Sequence, residues 1–157
     1  MRKIDSLRAA IAAALPELAT SPDRLRMWIE QGSARSVQTA SEGFAFGFRL
    51  NILVVELAGD LALLALPIFR WLRANQPELL APGAEGFTFD ADLLDNQTAD
   101  ILIQLDITQN VAVIDRPGGG AALEYLAEPD PLFGAELLAG GPLLKGADAE
   151  EEQVPSA

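Results

Sequence analysis

The sequence predicts an α+β fold, in which two helices cover a mostly antiparallel four-stranded sheet and a small extra hairpin follows. Three observations lead to this prediction. Residues 44–57 are apolar with the period of two that is typical of a strand, and residues 61–72 show helical spacings of three and four. The elements also follow one another in the order helix, strand, strand, helix, strand, strand, which favours helices layered on an antiparallel sheet.

The first predicted helix covers residues 7–15, with Asp5 or Ser6 as its N-cap. The same segment superficially resembles a secretion signal, because basic residues precede an alanine-rich run. However, Asp5 and Arg8 interrupt that order, and Pro16 closes the segment as the end of a helix would. We therefore interpret the segment as an amphipathic structural helix, and we expect the chain to remain in the cytoplasm where it is made.

Apolar and polar side chains then alternate over residues 25–30, which predicts the first strand. The polar residues 31–42 that follow leave two possibilities open. They form either a long hairpin loop or a continuation of the strand through Val37.

The central strand is predicted from Phe44 to about Leu57. A strand places six of its apolar side chains on one face, namely Phe44, Phe46, Phe48, Leu50, Ile52 and Val54. The opposite face is also apolar at Leu53, Val55 and Leu57, which predicts cover on both sides of the sheet. A straight strand of this length would span ~46 Å, which is too long for one small core. We therefore expect a bend near Gly47, or a phenylalanine-bearing end that projects as a ribbon.

The second predicted helix follows the turn at residues 58–60, with Asp60 as its N-cap. Its apolar face is so broad that it suggests packing between two layers, because Leu63, Leu66 and Phe69 widen the helical stripe. Pro67 predicts either a kink or a second helix start. Trp71 has the spacing of a core residue.

Two further strands are predicted at residues 87–93 and 101–108, joined by a turn at residues 95–97. The short connection makes them antiparallel neighbours, and the first of them is expected to have one wet face. The segments 111–114 and 121–126 flank a Gly-rich turn and predict the small extra hairpin. We expect residues 1–145 to form one domain, with a short apolar patch at Leu132–Phe133, and residues 146–157 to be an acidic disordered tail.

Composition excludes several classes of function. The chain has no Cys and no His, so a cysteine nucleophile, a thiolate zinc site and a Ser-His-Asp triad are impossible. The chain contains no run of about 20 apolar residues, which is the length that a membrane-spanning helix needs. The net charge of −12 lies entirely in residues 90–157, since residues 1–89 carry nine acidic and nine basic side chains. A chain this acidic is unsuited to neutralising phosphates. Its charge could face a basic partner, could line a passage that must not hold DNA, or could serve solubility alone.

Two clusters of charged residues are candidates for a site. Asp90, Asp92, Asp95 and Asp100 could hold a hard cation, but their spacing is not that of an EF-hand and suits the wet face of a strand equally well. The basic cluster comprises Arg24, Arg26, Arg35 and Arg49. These residues could contact an acidic partner, such as the acidic half of another copy, or could simply be exposed. We predict no catalytic, metal-binding or cofactor-binding residue and no cofactor.

The order of features resembles the phage tail completion protein R family of contractile-tailed temperate phages. The resemblance rests on the opening MRKIDSLRAAIAAALPEL, the alternation over residues 44–54, the turn 58–60, PIFRWLR at 67–73 with QPELL at 76–80, and NQTAD at 96–100. It covers roughly residues 1–115, and members are expected to differ in the Gly-rich hairpin and the acidic tail.

The resemblance implies a structural function at the head-proximal end of a finished phage or prophage tail. There the protein would stop growth of the tube and prepare the tail for joining to a filled head. Such proteins are expected to form rings, sixfold to match the tube, and to contact tube, sheath and head–tail connector proteins. We expect the subunit or partner contacts to include Arg24, Arg26, Arg35, Phe44, Phe46, Arg49, Asp90, Asp92 and Asp95. The alternatives are a non-viral adaptor and a ligand-binding or metal-binding domain that uses the acidic hairpin.

Overall fold

The computed structural model describes residues 1–95 and 97–128, and this part of the chain contains three α-helices and five strands. They are α1 (Arg2–Ala14), α2 (Pro16–Thr20), β1 (Leu25–Ser36), β2 (Phe44–Leu57), α3 (Leu61–Asn75), β3 (Thr88–Leu93), β4 (Ala99–Asp115) and β5 (Ala121–Tyr125). Single 3-10 turns precede β1 and follow α3. The domain boundary predicted at residue 145, the apolar patch at Leu132–Phe133 and the acidic tail lie outside the described residues.

All strand pairs are antiparallel, and the sheet has the order β1-β2-β4-β3. The fifth strand, β5, pairs with the far end of β4. Val111 of β4 pairs with Phe44 of β2 and also with Tyr125 of β5, so β5 lies on the same side of β4 as β3. The predicted α+β fold is confirmed, with the small extra hairpin joined to the main sheet as its fifth strand.

Two of the strands are longer than the sequence suggested. β1 continues to Ser36, which decides between the two possibilities for residues 31–42. β4 is one strand from Ala99 to Asp115, although its two halves were predicted as separate strands. Two bulges interrupt the strand pairings. β1 has a bulge between Glu30 and Ser33, near Gly47 of its partner β2, and β2 has a bulge between Val54 and Leu57 in its pairing with β4.

The hydrophobic core lies on one face of the sheet. Every strand residue in the core cluster points to this face, where it meets α1, α2 and α3 through Leu7, Ile11, Leu18, Leu64, Ile68 and Leu72. The expectation of cover on both sides is wrong for the described residues, because Leu53 and Val55 on the other face are only half-buried. Leu57 was also placed on the wrong face. Glu56 has a positive φ of 56° at the β2 bulge, which turns Leu57 into the core.

α1 begins earlier than predicted. Met1 is its N-cap, and the backbone N–H of Asp5 donates to the Met1 carbonyl at 3.1 Å. The predicted caps Asp5 and Ser6 are therefore wrong, because both residues lie inside the helix. The Ser6 hydroxyl instead accepts a hydrogen bond from the indole nitrogen of Trp71 at 2.8 Å, which links α1 to α3.

α3 has the predicted cap but not the predicted environment. The Asp60 carboxylate accepts a hydrogen bond from the Ala62 N–H at 2.9 Å, and the helix continues through Pro67 without restarting. Trp71 is buried in the core, as predicted. The expectation of a helix between two layers is wrong, because the row Leu63, Leu66 and Phe69 is exposed. None of the helices in the described part of the chain has the length and apolar character needed to cross a membrane.

Candidate functional site

The two outer strands, β1 and β3, present edges with exposed apolar side chains. All six residues of β3 are exposed, not only those on the expected wet face. On the helix-bearing face, Phe89 is 51% exposed and Leu93 is 78% exposed. On the same face of β1, Ile29 is 41% exposed. Exposed strand edges of this kind readily pair with another chain, so they are the first candidates for assembly surfaces.

The opposite face of the sheet, which we call the open face, is polarised in charge. The strand register places Arg26 of β1, Leu53 of β2, Leu102 of β4 and Asp90 of β3 in one row across the sheet. Asp92 lies two residues further along β3, and all three charged side chains are exposed. Three strand spacings, about 14 Å, separate the two edges. The basic and acidic groups therefore cannot contact each other within one copy.

A ladder of polar side chains crosses the open face next to this row. The Asn51 amide donates to the Glu30 carboxylate of β1 at 3.0 Å, and Gln104 of β4 donates to the Asn51 carbonyl oxygen at 2.8 Å. Asn51 is only 1% exposed. Sequence reasoning missed this ladder, since an isolated Asn or Gln in a strand gives no signal of its cross-strand partner.

The remaining predicted arginines have different environments. Arg24 is held within the chain: its guanidinium donates to the carbonyls of Val55, at 3.0 Å, and Glu56, and lies 3.6 Å from the Glu17 carboxylate. Arg49 pairs with Asp106 across the open face, with a distance of 3.2 Å between the Nε and Oδ1 atoms. Arg35 is exposed near the far end of β1.

Phe44 and Phe46 lie at the start of β2. Their rings meet edge to face, with centroids 5.5 Å apart, and both side chains are half-buried. Phe46 packs against the core cluster. Arg35 pairs with Ala45 between them, so these three predicted contact residues lie together, at the end of the sheet away from Arg26 and Asp90.

The residues of the predicted acidic cluster do not form one group, because Asp95 and Asp100 accept hydrogen bonds from different parts of the backbone. The Asp95 carboxylate accepts from the backbone N–H groups of Gln97 and Thr98, both at 2.8 Å, and from the Thr98 hydroxyl. The two backbone bonds lower the pKa of Asp95 below its ordinary value. Asp100 accepts from the Glu56 N–H at 2.9 Å. Within residues 1–95 and 97–128, no three acidic side chains are grouped as a metal site would require.

An apolar groove between α1 and α3 is a further surface that the sequence did not predict. Its volume is about 580 Å³, and it is lined by residues that include Ala10, Ala13, Leu63, Leu66 and Pro67. The helical spacing of Leu63 and Leu66 predicts that both belong to an apolar stripe packed between layers. Both residues border a groove instead, because no further layer covers the outer side of α3 in the described part of the chain.

Comparison with known proteins identifies the family. The family described as P2 phage tail completion protein R (GpR) matches residues 1–129, which extends past residue 115 and includes the Gly-rich hairpin. The tail completion protein R of Escherichia phage P2 is 37% identical over 134 residues, covering 83% of this chain and 86% of the relative. No solved structure matches this chain. The family match and the P2 relative agree, and the chain therefore belongs to the P2 phage tail completion protein R family.

Proposed function

We propose that this phage tail completion protein acts at the head-proximal end of the tail, where it stops growth of the tube and prepares the tail to join a filled head. The observation that carries the proposal is the family match over residues 1–129. The geometry agrees with a structural role, because the most exposed apolar side chains include those on strand edges, which are surfaces suited to assembly.

The protein works with other tail components, and we infer that its own copies form a ring of six that matches the tube. Tube and sheath proteins would contact one side of this ring, and head–tail connector proteins the other. A closed ring of identical copies requires two different, complementary surfaces on each subunit. The edge of β1, which carries Arg26, and the acidic edge of β3 supply such a pair of surfaces.

The net charge of the chain supports a role in which the protein lets DNA pass without binding it. With a net charge of −12, the ring would repel the phosphate backbone and let DNA slide past it. We further propose that the protein acts without sequence-specific DNA binding, without a membrane and without catalysis. It assembles in the host cytoplasm and ends up in the virion tail.

The division of the chain into a domain at residues 1–145 and an acidic tail at 146–157 is also a proposal. Limited proteolysis of the full chain should yield a resistant fragment that ends near Lys145. Mass spectrometry of that fragment decides the boundary, and a stable fragment ending well before residue 145 would overturn it.

Deletion of the gene in the phage that carries it tests the proposed function. After growth or induction, negative-stain imaging should show filled heads beside unattached tails, including tails of irregular length. A plasmid copy of the intact gene should restore virions. Normal numbers of intact virions without that plasmid would overturn the proposal.

A further inference from the structure

We propose that β1 of one copy pairs with β3 of the next copy, so that the antiparallel sheet continues across the boundary between subunits. This inference names the surfaces that join the proposed ring, and it rests on that proposal for its biological setting. The pairing itself is a property of the protein alone and can be tested separately.

The directions of the strands allow this pairing. β1 and β3 are connected through β2 and β4, and each neighbouring pair is antiparallel, so β1 and β3 run in opposite directions. If the next copy keeps the same orientation, its β1 meets β3 as an antiparallel neighbour. The helices of both copies then lie on the same side of the shared sheet. Repetition of such a head-to-tail contact gives a ring when the rotation closes.

The lengths of the two edges also match. β3 has six residues, and β1 has six residues, Leu25–Glu30, before its bulge. Full overlap of these two segments gives one register, in which the pairs are Leu25 with Leu93, Arg26 with Asp92, Met27 with Ala91, Trp28 with Asp90, Ile29 with Phe89, and Glu30 with Thr88.

This register matches the two copies on both faces of the sheet. On the helix-bearing face, it places the exposed side chains of Ile29 and Phe89 opposite each other, and residues directly opposite in an antiparallel pair contact. On the open face, it places Arg26 opposite Asp92. A shift by one residue would reverse the faces and would set Arg26 and Asp92 against side chains of the helix-bearing face. Trp28 lies opposite Asp90 in the full-overlap register, so the charge match on the open face rests on Arg26 with Asp92.

The occupant of each edge is a second copy rather than an unrelated protein, because the two edges complement each other. β1 carries Arg26, whose exposed side chain has no acidic neighbour on its row in its own chain. β3 carries Asp90 and Asp92, likewise exposed. Within one chain these charges are about 14 Å apart, and head-to-tail pairing brings them together. Pairing also covers Phe89 and Leu93, which would otherwise remain exposed on an open edge.

Disulfide trapping tests the register directly, since the chain contains no Cys. The variant with Trp28→Cys and Asp90→Cys retains Arg26 with Asp92 and Ile29 with Phe89. Opposite residues of an antiparallel pair have Cα atoms about 4.5–5.5 Å apart, which a disulfide can bridge. Mild oxidation of the full-length protein, alone and on isolated tails, should give a ladder of covalent oligomers on a non-reducing gel.

A matched control variant combines Trp28→Cys with Asp106→Cys. Asp106 is exposed on the open face, like Asp90, but it belongs to β4. This control should remain free of a ladder. If W28C/D90C gives no ladder either in solution or on tails, or if the control gives an equal ladder, the proposal is wrong.

Charge reversal in the W28C/D90C protein gives a second test. Arg26→Asp alone and Asp92→Arg alone should each weaken the ladder, and the two changes together should restore it, because the reversed charges attract again. Circular dichroism checks that each variant is folded, and failure of the double reversal to restore the ladder would contradict the Arg26–Asp92 pairing. If oxidation of W28C/D90C gives a ladder but deletion of the gene leaves virions normal, the tail function is refuted and the pairing is not. The absence of a ladder, with a defective deletion strain, would refute the pairing but not the tail function.

Discussion

Lys3 and Gln76 together form a polar cluster on the edge of β4, in the gap between β3 and β5. The Lys3 ammonium donates to the Gln76 side-chain oxygen at 2.9 Å and to the Thr108 carbonyl at 2.7 Å. Gln76 accepts from the Thr108 N–H at 3.3 Å and donates to the Thr108 hydroxyl at 2.9 Å. Two buried side chains thus satisfy the backbone of Thr108 on the side of β4 that faces away from β2, where neither β3 nor β5 pairs with Thr108.

Gln76→Ala should destabilise the protein, because it removes one acceptor from the buried Lys3 ammonium and leaves the Thr108 N–H without its acceptor. An unsatisfied buried polar group costs about 1–3 kcal/mol. The free energy of unfolding, measured by urea denaturation, should fall by that amount. Gln97→Ala, an exposed substitution of the same kind, is the control, and equal stability of the two variants would contradict the role of Gln76.

The neighbours Leu63 and Leu64 should respond differently to the same substitution. Leu64 is fully buried in the core, whereas Leu63 is 56% exposed. Leu64→Ala should lower the free energy of unfolding by about 2–5 kcal/mol, since it leaves a cavity. Leu63→Ala should change it by no more than about 0.5 kcal/mol. Chemical denaturation of both variants checks the orientation of α3, and comparable losses would show that α3 is packed on both sides.

Asp60→Ala should weaken the start of α3. The variant loses the hydrogen bond from the Ala62 N–H, and loss of an N-cap typically costs about 1 kcal/mol. Asp60→Ser keeps an acceptor at the same position and should recover most of the stability. Thermal unfolding of the three proteins measures the effect. If Ala and Ser behave alike, the side-chain cap does not matter.

Asp95 should make the β3–β4 turn sensitive to acid. Its pKa lies below the ordinary value because of the Gln97 and Thr98 N–H groups. A lowered pKa means that the stabilisation is fully present above the ordinary pKa of Asp and disappears as pH falls through the lowered pKa. NMR titration of the carboxyl carbon should give a midpoint below that of an unstructured Asp peptide, and exchange of the Thr98 amide should quicken in the same pH range.

Asp95→Asn is the matched control, since it keeps a side-chain oxygen acceptor but does not titrate. The acid-dependent change in Thr98 exchange should be absent from this variant. Persistence of the change in Asp95→Asn would assign it to another group.

The sequence predicted the elements and fold class well, because periodicity reports directly which strand and helix faces are apolar. The six alternating side chains of β2, the Asp60 cap and the core position of Trp71 all follow from local patterns. The position of the first helix start did not follow, since Met1 caps α1 through its backbone alone. No side-chain signal marks such a cap.

What could not be predicted depends on contacts between distant parts of the chain. Leu63 is exposed because the helices form an outer layer on one face of the sheet, and Phe89 is exposed because β3 is an edge strand. The orientation of Leu57 follows from the positive φ of Glu56. The row that joins Arg26 and Asp90 requires the register of four strands. The sequence nevertheless identified both residues as contact candidates, from charge and exposure alone.

The continuity of β4 has a mechanical consequence for the domain. The irregular positions in the paired strands lie in β1 and β2, whereas β4 runs unbroken from the turn after β3 to the hairpin before β5. A strand of this length spans roughly 55 Å. Because no bulge interrupts β4, one regular strand joins the Arg116 hairpin to the part of the sheet that pairs with β3, and we expect a displacement of the hairpin to be passed along it. In the proposed ring, each copy would act as a stiff lever, whose far end responds to events at its contact with a neighbour.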